Sequence, residues 1–213
     1  MIGVLRHPDI PRVEKCYTVK TELQVVYNKS MLPAVFLDRD GVLIENRADY
    51  IQDWSQVVLL PNTISALSKF RNTKYKIVLV TNQSAVGRGL ISLKTATEIN
   101  EKLARVVEIN GGRIDAIYMC PHAPEDHCDC RKPRSGLFLQ AARELSLDLG
   151  SSWVIGDAWS DLLAGQAASL RGVILVKTGR GTVQLQQPKP DNLKSYLVFD
   201  DLSGALASIS GRS

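Results

Sequence analysis

The stretch Ala-Val-Phe-Leu-Asp-Arg-Asp-Gly, residues 34–41, determines how the rest of the chain is interpreted. Its first four residues are apolar and predict a short buried strand, and two aspartates follow close to the point where that strand ends. Further short apolar runs, at 76–80, 114–119, 153–155 and 173–176, predict additional strands. Segments with helical spacing separate these runs, and the longest is 92–109, with Ser92 as its N-cap.

This alternation of strands and helices predicts an α/β fold of the doubly wound, Rossmann-like class. We expect a mostly parallel sheet with helices on both faces. In such folds ligands bind at the carboxyl ends of the strands, near the point where the strand order reverses. The residues that come directly after each predicted strand are therefore the first candidates for function.

Polar side chains follow four of the predicted strands, and neighbouring strands lie only about 4.8 Å apart, so these side chains can converge. Clustered carboxylates repel one another unless a cation is present, and hard oxygen ligands suit Mg²⁺. A lysine and a Thr-Asn turn supply donors for phosphate oxygens. The sequence therefore predicts a magnesium-dependent site for phosphoryl transfer. Its members, strand by strand, are Asp38 and Asp40; Thr81, Asn82 and Gln83; Arg131 and Lys132; Asp157 and Asp161.

Four motifs in order resemble those of the haloacid dehalogenase superfamily. They are Asp38-Arg39-Asp40-Gly41, Thr81-Asn82-Gln83, Lys132 and Gly156-Asp157-x-x-x-Asp161, and the resemblance spans roughly residues 33–180. It implies a phosphatase in which Asp38 is the nucleophile and forms an aspartyl-phosphate. Asp40 would then be the general acid for the leaving group and afterwards the base that activates water.

The same resemblance assigns roles to the other motif residues. Thr81 would bind the transferring phosphoryl group, with Asn82 and Gln83 beside it, and Lys132 would neutralise the phosphorylated aspartate. Asp157 would complete the Mg²⁺ site together with Asp38 and the backbone carbonyl of Asp40. Asp161 would lie behind these ligands, although an aspartate near a helix start could also serve only as a cap.

Three cysteines and a histidine crowd into a short segment before Arg131. Cys120, His122, Cys128 and Cys130 offer the soft ligands of a closed, tetrahedral structural Zn²⁺ site. His127 is a rival ligand; we favour His122 because Pro121 would hold it and Cys120 in an extended turn, and the resemblance agrees. Reduced thiols without metal are the alternative. Bound zinc would stiffen the loop that places Arg131 and Lys132.

The short gap between Asp40 and Thr81 leaves no room for a separate cap domain. A capless chain with the run Cys-Asp-Cys-Arg-Lys-Pro, residues 128–133, resembles a narrower family. Its members are the D-glycero-D-manno-heptose 1,7-bisphosphate 7-phosphatases and the histidinol-phosphate phosphatases.

The residues between the motifs give mixed indications about the substrate. The segments 81–89 and 177–181 resemble the heptose branch, and Arg88 could contact a second phosphate. The short zinc loop resembles the histidinol-phosphate branch, and Ala158 stands where the heptose enzymes often have lysine. We favour the heptose bisphosphate, with histidinol phosphate as the alternative. A phosphatase for protein or nucleic-acid ends and a non-catalytic module that binds phosphorylated ligands are further alternatives.

Length and charge limit the remaining classes. The chain has 213 residues and a net charge of +4, without a block of like charges, so we expect neither a nucleic-acid nor a membrane partner. No apolar run approaches the roughly 20 residues that span a bilayer. Residues 1–30 lack the apolar core of a signal peptide, which predicts a cytoplasmic protein, and we expect a monomer.

The chain divides at about residue 33. Residues 1–32 are interpreted as an N-terminal extension, in which the alternation at 17–27 predicts an edge strand or hairpin. Residues 33–213 are predicted to form the phosphatase domain.

Overall fold

The computed structural model describes residues 17–20 and 31–211 of the chain, and seven strands in these ranges form one sheet. The strands are β1 (Tyr17–Lys20), β2 (Leu32–Leu37), β3 (Lys76–Asn82), β4 (Ala116–Cys120), β5 (Leu147–Gly156), β6 (Gly172–Val176) and β7 (Leu197–Phe199). Neighbours among β2 to β7 are all parallel, whereas β1 runs antiparallel to β4 at one edge of the sheet. The predicted mostly parallel sheet is therefore confirmed.

Helices cover both faces of the sheet. The helices are α1 (Thr63–Phe70), α2 (Ser84–Gly87), α3 (Leu93–Ile109), α4 (Gly136–Leu145), α5 (Trp159–Ala167), α6 (Gly181–Gln186) and α7 (Leu202–Ser210). Apolar side chains of α1, α3 and α7 pack on one face, and those of α4 and α5 pack on the other. Successive residues of β2 alternate between the two cores, with Val35 in the first and Phe36 in the second, because strand side chains point to opposite faces.

The strand order β1-β4-β3-β2-β5-β6-β7 fixes where a ligand can bind. From β2 the chain adds β3 and β4 on one side, and it then returns to place β5 on the other side of β2. The carboxyl end of β2 is therefore the point where the strand order reverses. Asp38 follows β2 directly, and its backbone N–H donates to the carbonyl of Ile155 in β5 at 3.0 Å.

Some boundaries differ from the sequence prediction. The polar, proline-rich run 184–192 predicts a loop, but this prediction is wrong at its start because α6 continues to Gln186. The short strand β7 was not predicted. The helical spacing over 135–147 predicts a helix that reaches Leu147, but α4 ends at Leu145, because Ser146 adopts a left-handed conformation and Leu147 begins β5. Within the predicted extension, Tyr17–Lys20 forms the edge strand, and residues 21–27 lie outside the described part of the chain.

No helix in the described ranges combines the length and the apolar character needed to cross a bilayer. Between β2 and β3 the chain forms only the 3-10 turn Trp54–Gln56 and α1, and between β3 and β4 only α2 and α3. Neither connection contains a cap domain, so the carboxyl end of the sheet is shaped by its loops.

Candidate active site

Three buried carboxylates meet at the carboxyl end of the sheet. One oxygen from each of Asp38, Asp157 and Asp161 lies within 4.8 Å of the others. Lys132 reaches into this cluster, and its Nζ atom lies 2.8 Å from Oδ1 of Asp38 and 2.6 Å from Oδ1 of Asp161. The three acidic groups thus face a single buried ammonium group within the cluster, and negative charge remains in excess.

Burial and crowding shift the pKa of these groups. Burial raises the pKa of Asp38 to about 6; Lys132 opposes the rise, while Asp161 and Asp40 add to it. The pKa of Asp157 is raised by burial and then by Asp38, with Arg180 acting in the opposite direction. Burial alone would lower the pKa of Lys132, but Asp161 and Asp38 outweigh it, so the pKa lies above its usual value. Lys132 therefore stays protonated. The carboxylates beside it would be more readily ionised if further positive charge were close to them.

A bound Mg²⁺ would supply that charge. The donor set consists of carboxylate oxygens, which are the ligands that Mg²⁺ prefers, and the cluster holds more negative than positive charge. Asp38 and Asp161 of this set line a cavity, whereas Asp157 is fully buried behind it. The residues present therefore fit the metal. The cavity lies between the carboxylates and the solvent; its lining residues are Asp38, Asp40, Asn82, Lys132, Ser160, Asp161 and Arg180.

The backbone leaves space for Asp157 at two glycines. A Cβ atom at Gly41 would lie 2.1 Å from Oδ2 of Asp157, and one at Gly179 would lie 2.4 Å from the same oxygen. Both glycines also have positive φ, +83° and +57°, which side chains disfavour. The backbone N–H of Arg180 donates to Oδ2 of Asp157 at 2.8 Å, so the loop after β6 helps to hold this carboxylate.

Asp40 lies beside the cluster and is held by its sequence neighbour. The guanidinium of Arg39 donates from Nε to Oδ2 of Asp40 at 3.1 Å and from Nη2 to Oδ1 at 3.0 Å. Gln83 donates from Nε2 to Oδ2 of Asp40 at 3.2 Å and to Oγ1 of Thr81 at 2.8 Å. The first and second motifs are thus joined through Gln83.

Asn82 fixes the segment that carries Lys132. Its side-chain amide donates to the backbone carbonyl of Lys132 at 3.1 Å and accepts from the backbone N–H of Lys132 at 3.1 Å. The Nζ atom of Lys132 also donates to the carbonyl of Val80 at 2.8 Å. Lys132 is therefore held at its backbone by Asn82 and at its Nζ atom by Val80, although it lies on a loop.

The predicted zinc ligands also come together. Sγ atoms of Cys120, Cys128 and Cys130 lie 3.3–3.5 Å apart, and Nδ1 of His122 is 3.6 Å from Cys120 and 3.3 Å from Cys130. A tetrahedral site with Zn–S bonds of about 2.3 Å has edges of roughly 3.8 Å, so the cluster has the size of a zinc site. Burial raises the pKa of Cys120 to about 12, and a divalent metal would favour its thiolate. His127 is not part of the cluster.

The zinc loop contacts the second motif. Nη1 of Arg131 donates to Oγ of Ser84 at 2.8 Å and to the carbonyl of His122 at 3.2 Å. The backbone N–H of Gln83 donates to the carbonyl of Cys120 at 2.7 Å. Hydrogen bonds therefore join the cysteine–histidine cluster to the segment of the second motif.

Most of the predicted site residues converge, but Arg88 does not. Its guanidinium forms an exposed ion pair with Glu125 of the zinc loop at 3.2 Å, and it is not among the residues that line the cavity. Asp161 combines both of its alternatives: it pairs with Lys132, and its Oδ2 accepts from the N–H of Ala158 at the start of α5 at 3.1 Å.

Sequence reasoning gave no role to Arg39 or Arg180. Arg39 lies inside the first motif, and Arg180 lies in the segment 177–181 that was singled out for its resemblance alone. Arg39 is 2% exposed, and Arg180 contacts Asp157 through its guanidinium at 3.4 Å. The available signal for Arg39 was its position between Asp38 and Asp40, directly after a buried strand.

Known proteins are similar to this chain in sequence and in fold. The HAD-hydrolase-like family model matches residues 129–205. D-glycero-beta-D-manno-heptose-1,7-bisphosphate 7-phosphatase from Pseudomonas aeruginosa is 35% identical over 175 residues, which cover 82% of this chain and 96% of the relative. The enzyme of the same name from Pasteurella multocida is 38% identical over 156 residues, covering 70% of this chain and 84% of the relative.

Two solved structures of phosphatases superpose well on this chain. The D,D-heptose 1,7-bisphosphate phosphatase from B. bronchiseptica, complexed with magnesium and phosphate, superposes with a TM-score of 0.78 at 33% identity, covering 85% of this chain and 100% of that one. A putative HAD-like phosphatase from Mesorhizobium loti superposes with a TM-score of 0.75 at 26% identity, covering 93% and 94% of the two chains.

Proposed function

This chain belongs to the D-glycero-beta-D-manno-heptose-1,7-bisphosphate 7-phosphatase family of HAD-like hydrolases, and we propose that it removes the 7-phosphate of that heptose bisphosphate. The observation that carries the proposal is the buried Asp38 carboxylate, which shares the ammonium group of Lys132 with Asp161 and belongs to the cluster of three aspartates. Phosphoryl transfer to an aspartate requires a nucleophile, a fixed cation and a set of carboxylates that binds a metal ion.

In the first step an oxygen of Asp38 attacks the phosphorus of the 7-phosphate. The bond between phosphorus and the sugar oxygen breaks, and Asp40 gives its proton to that oxygen as it leaves. In the second step a water molecule attacks the aspartyl-phosphate and gives a proton to Asp40. The bond between Asp38 and phosphorus then breaks, so the products are the alcohol and inorganic phosphate.

The surrounding residues keep the phosphoryl group in place during both steps. Lys132 faces the Asp38 carboxylate and stabilises the charge that develops on the transferring group. Thr81, held by Gln83, offers its hydroxyl group to a phosphate oxygen. When bound by Asp38, Asp157 and the backbone carbonyl of Asp40, Mg²⁺ would supply the positive charge that lets a phosphate dianion approach these carboxylates.

The Zn²⁺ proposed at Cys120, His122, Cys128 and Cys130 has a structural role. Four protein ligands leave no open position for substrate. Its contribution is to hold the loop from which Arg131 and Lys132 reach the site.

The distal phosphate of the substrate requires a cation outside the carboxylate cluster. Arg131 precedes Lys132 and is anchored at Ser84, and Arg88 forms an exposed ion pair with Glu125 of the zinc loop. We assign both arginines to this phosphate.

The protein acts in the cytoplasm, where reducing conditions keep the zinc-loop thiols available, and it acts as a monomer.

A phosphate-release assay tests the proposal. The kcat/KM values for D-glycero-beta-D-manno-heptose 1,7-bisphosphate, fructose 1,6-bisphosphate and histidinol phosphate are compared with and without Mg²⁺. We expect Mg²⁺-dependent release and a clear preference for the heptose bisphosphate. A preference for histidinol phosphate would overturn the substrate assignment, and no release from any of the three would overturn the phosphatase function.

A further inference from the structure

Arg39 is the largest fully buried side chain in the described part of the chain. An arginine at 2% exposure loses its hydration. Even when its guanidinium is paired, a buried charge seldom stabilises a protein more than apolar side chains of similar volume would. Its donors are distributed over three partners: both oxygens of Asp40, Oε1 of Gln83 at 3.0 Å, and Oδ1 of Asn100 at 2.9 Å. A guanidinium held in this way has one fixed orientation.

Asn100 is the distant support of this arrangement. It lies on α3, is 1% exposed, and holds Nη1 of Arg39 from the side opposite Asp40. Its own side-chain amide faces the sulfur of Met119 at 3.5 Å, so the side chain has a defined direction. The chain α3–Asn100–Arg39–Asp40 therefore connects a long, well-packed helix to the carboxylate that handles the proton.

The contacts of Asp40 distinguish its two oxygens. A carboxylate has about four lone-pair positions, two on each oxygen. Among the described residues, Oδ2 accepts from Arg39 and Gln83, whereas Oδ1 accepts only from Nη2 of Arg39. Asp40 also lines the cavity, with its side chain 21% exposed. The oxygen with a remaining position is Oδ1.

We propose that Arg39 and Asn100 are positioning residues that orient Asp40, so that Oδ1 is the atom that gives the proton to the leaving group and later takes one from water. This inference rests on the proposed phosphatase function. It adds two residues to the reaction, one of them, Asn100, far from the motifs in sequence. The planar fork of Arg39 supplies a geometry that a lysine would not supply.

The test compares two substrates that differ in their need for the acid. The sugar phosphate has a poor leaving group and needs the proton from Asp40 in the first step, whereas p-nitrophenyl phosphate does not. Both need Asp40 as the base in the second step. For Asn100→Leu we expect kcat on the heptose bisphosphate to fall roughly 10-fold or more, because general acid–base catalysis contributes about 10²–10⁴-fold in total. With p-nitrophenyl phosphate we expect a rapid burst of p-nitrophenol, stoichiometric with enzyme, followed by slow turnover.

Matched variants separate positioning from general damage. Asn100→Asp keeps an acceptor for Nη1 and should recover most of the lost kcat. Arg39→Lys keeps the charge and loses the fork, should show the same burst, and serves as the test if Asn100→Leu does not fold. Thr63→Val removes a different buried hydrogen bond, to the carbonyl of Leu43, and should show no burst.

The outcomes are distinct from those for the proposed function. Wild-type protein without Mg²⁺-dependent turnover would reject the phosphatase function itself. If wild type turns over, equal losses on both substrates without a burst would overturn the positioning role, and so would unchanged kinetics in Asn100→Leu and Arg39→Lys.

Discussion

The Nζ atom of Lys132 lies 2.6 Å from Oδ1 of Asp161, and both side chains are almost fully buried. The same nitrogen lies 2.8 Å from Asp38, so Asp161 and Asp38 share one ammonium group. Asp161 in turn caps the start of α5 through the N–H of Ala158. Through Asp161, Lys132 is thereby tied to α5 as well as to Asp38.

Replacing Lys132 with Met should destabilise the metal-free protein. Two buried carboxylates would lose their shared partner, and removal of one member of a buried pair costs about 3–5 kcal/mol. The free energy of unfolding in urea measures this loss. Lys177→Met is the control, because Lys177 pairs with Asp200 at 2.7 Å on the surface and such pairs contribute at most about 1 kcal/mol. Equal losses in the two variants would contradict the account.

Replacing Asp38 with Asn should abolish turnover while preserving the fold. The amide is a poor nucleophile, and loss of a covalent nucleophile lowers kcat by roughly 10³-fold or more. Phosphate release measures the effect, with the exposed Asp191→Asn as control. If the wild type turns over the heptose bisphosphate and Asp38→Asn only binds it, the protein is an enzyme. If the wild type itself binds the compound without turnover, the protein is a binding module.

Addition of Mg²⁺ should raise the melting temperature of the wild-type protein. We expect the metal to bind the folded state through Asp38 and Asp157, and a ligand at 100 times its Kd stabilises a protein by about 2.7 kcal/mol. Asp157→Asn should lose most of this response in a thermal melt with and without Mg²⁺. An identical rise in the variant would show that the metal binds elsewhere.

Zinc content should depend on His122 and not on His127. His122 belongs to the cysteine cluster, whereas His127 is outside it. His122→Ala should therefore lose its zinc and melt at a lower temperature, because structural zinc contributes directly to folding. His127→Ala should keep both, as measured by metal analysis of the purified proteins. Retention of zinc by His122→Ala would refute the ligand assignment.

The convergence of the site could be predicted because it follows from local patterns. Asp38, Thr81 and Asp157 each sit where an apolar run ends or has just ended, and parallel strands bring such ends together. The cysteine spacing similarly indicated a tetrahedral cluster. The four members of the cysteine–histidine cluster could therefore be predicted without any knowledge of the loop conformation.

The contacts of Arg39, Asn100 and Arg180 could not be predicted. Asn100 lies 61 residues from Arg39, and nothing in a helical pattern distinguishes an asparagine that supports a buried guanidinium from one on a polar face. The strand β7 was missed for a related reason: its three residues form a strand only because β6 lies beside them. These contacts and this strand depend on residues that lie far apart in the sequence.

The most direct test of the central claim is to search for a covalent phosphoryl group on Asp38. Asp40→Asn should still be phosphorylated by p-nitrophenyl phosphate, because that leaving group needs no acid, while its hydrolysis step is slowed. After an acid quench, mass spectrometry should find one phosphoryl group per chain, on the peptide that contains Asp38. Continued turnover by this variant without such an adduct, or an adduct on another residue, would contradict the account.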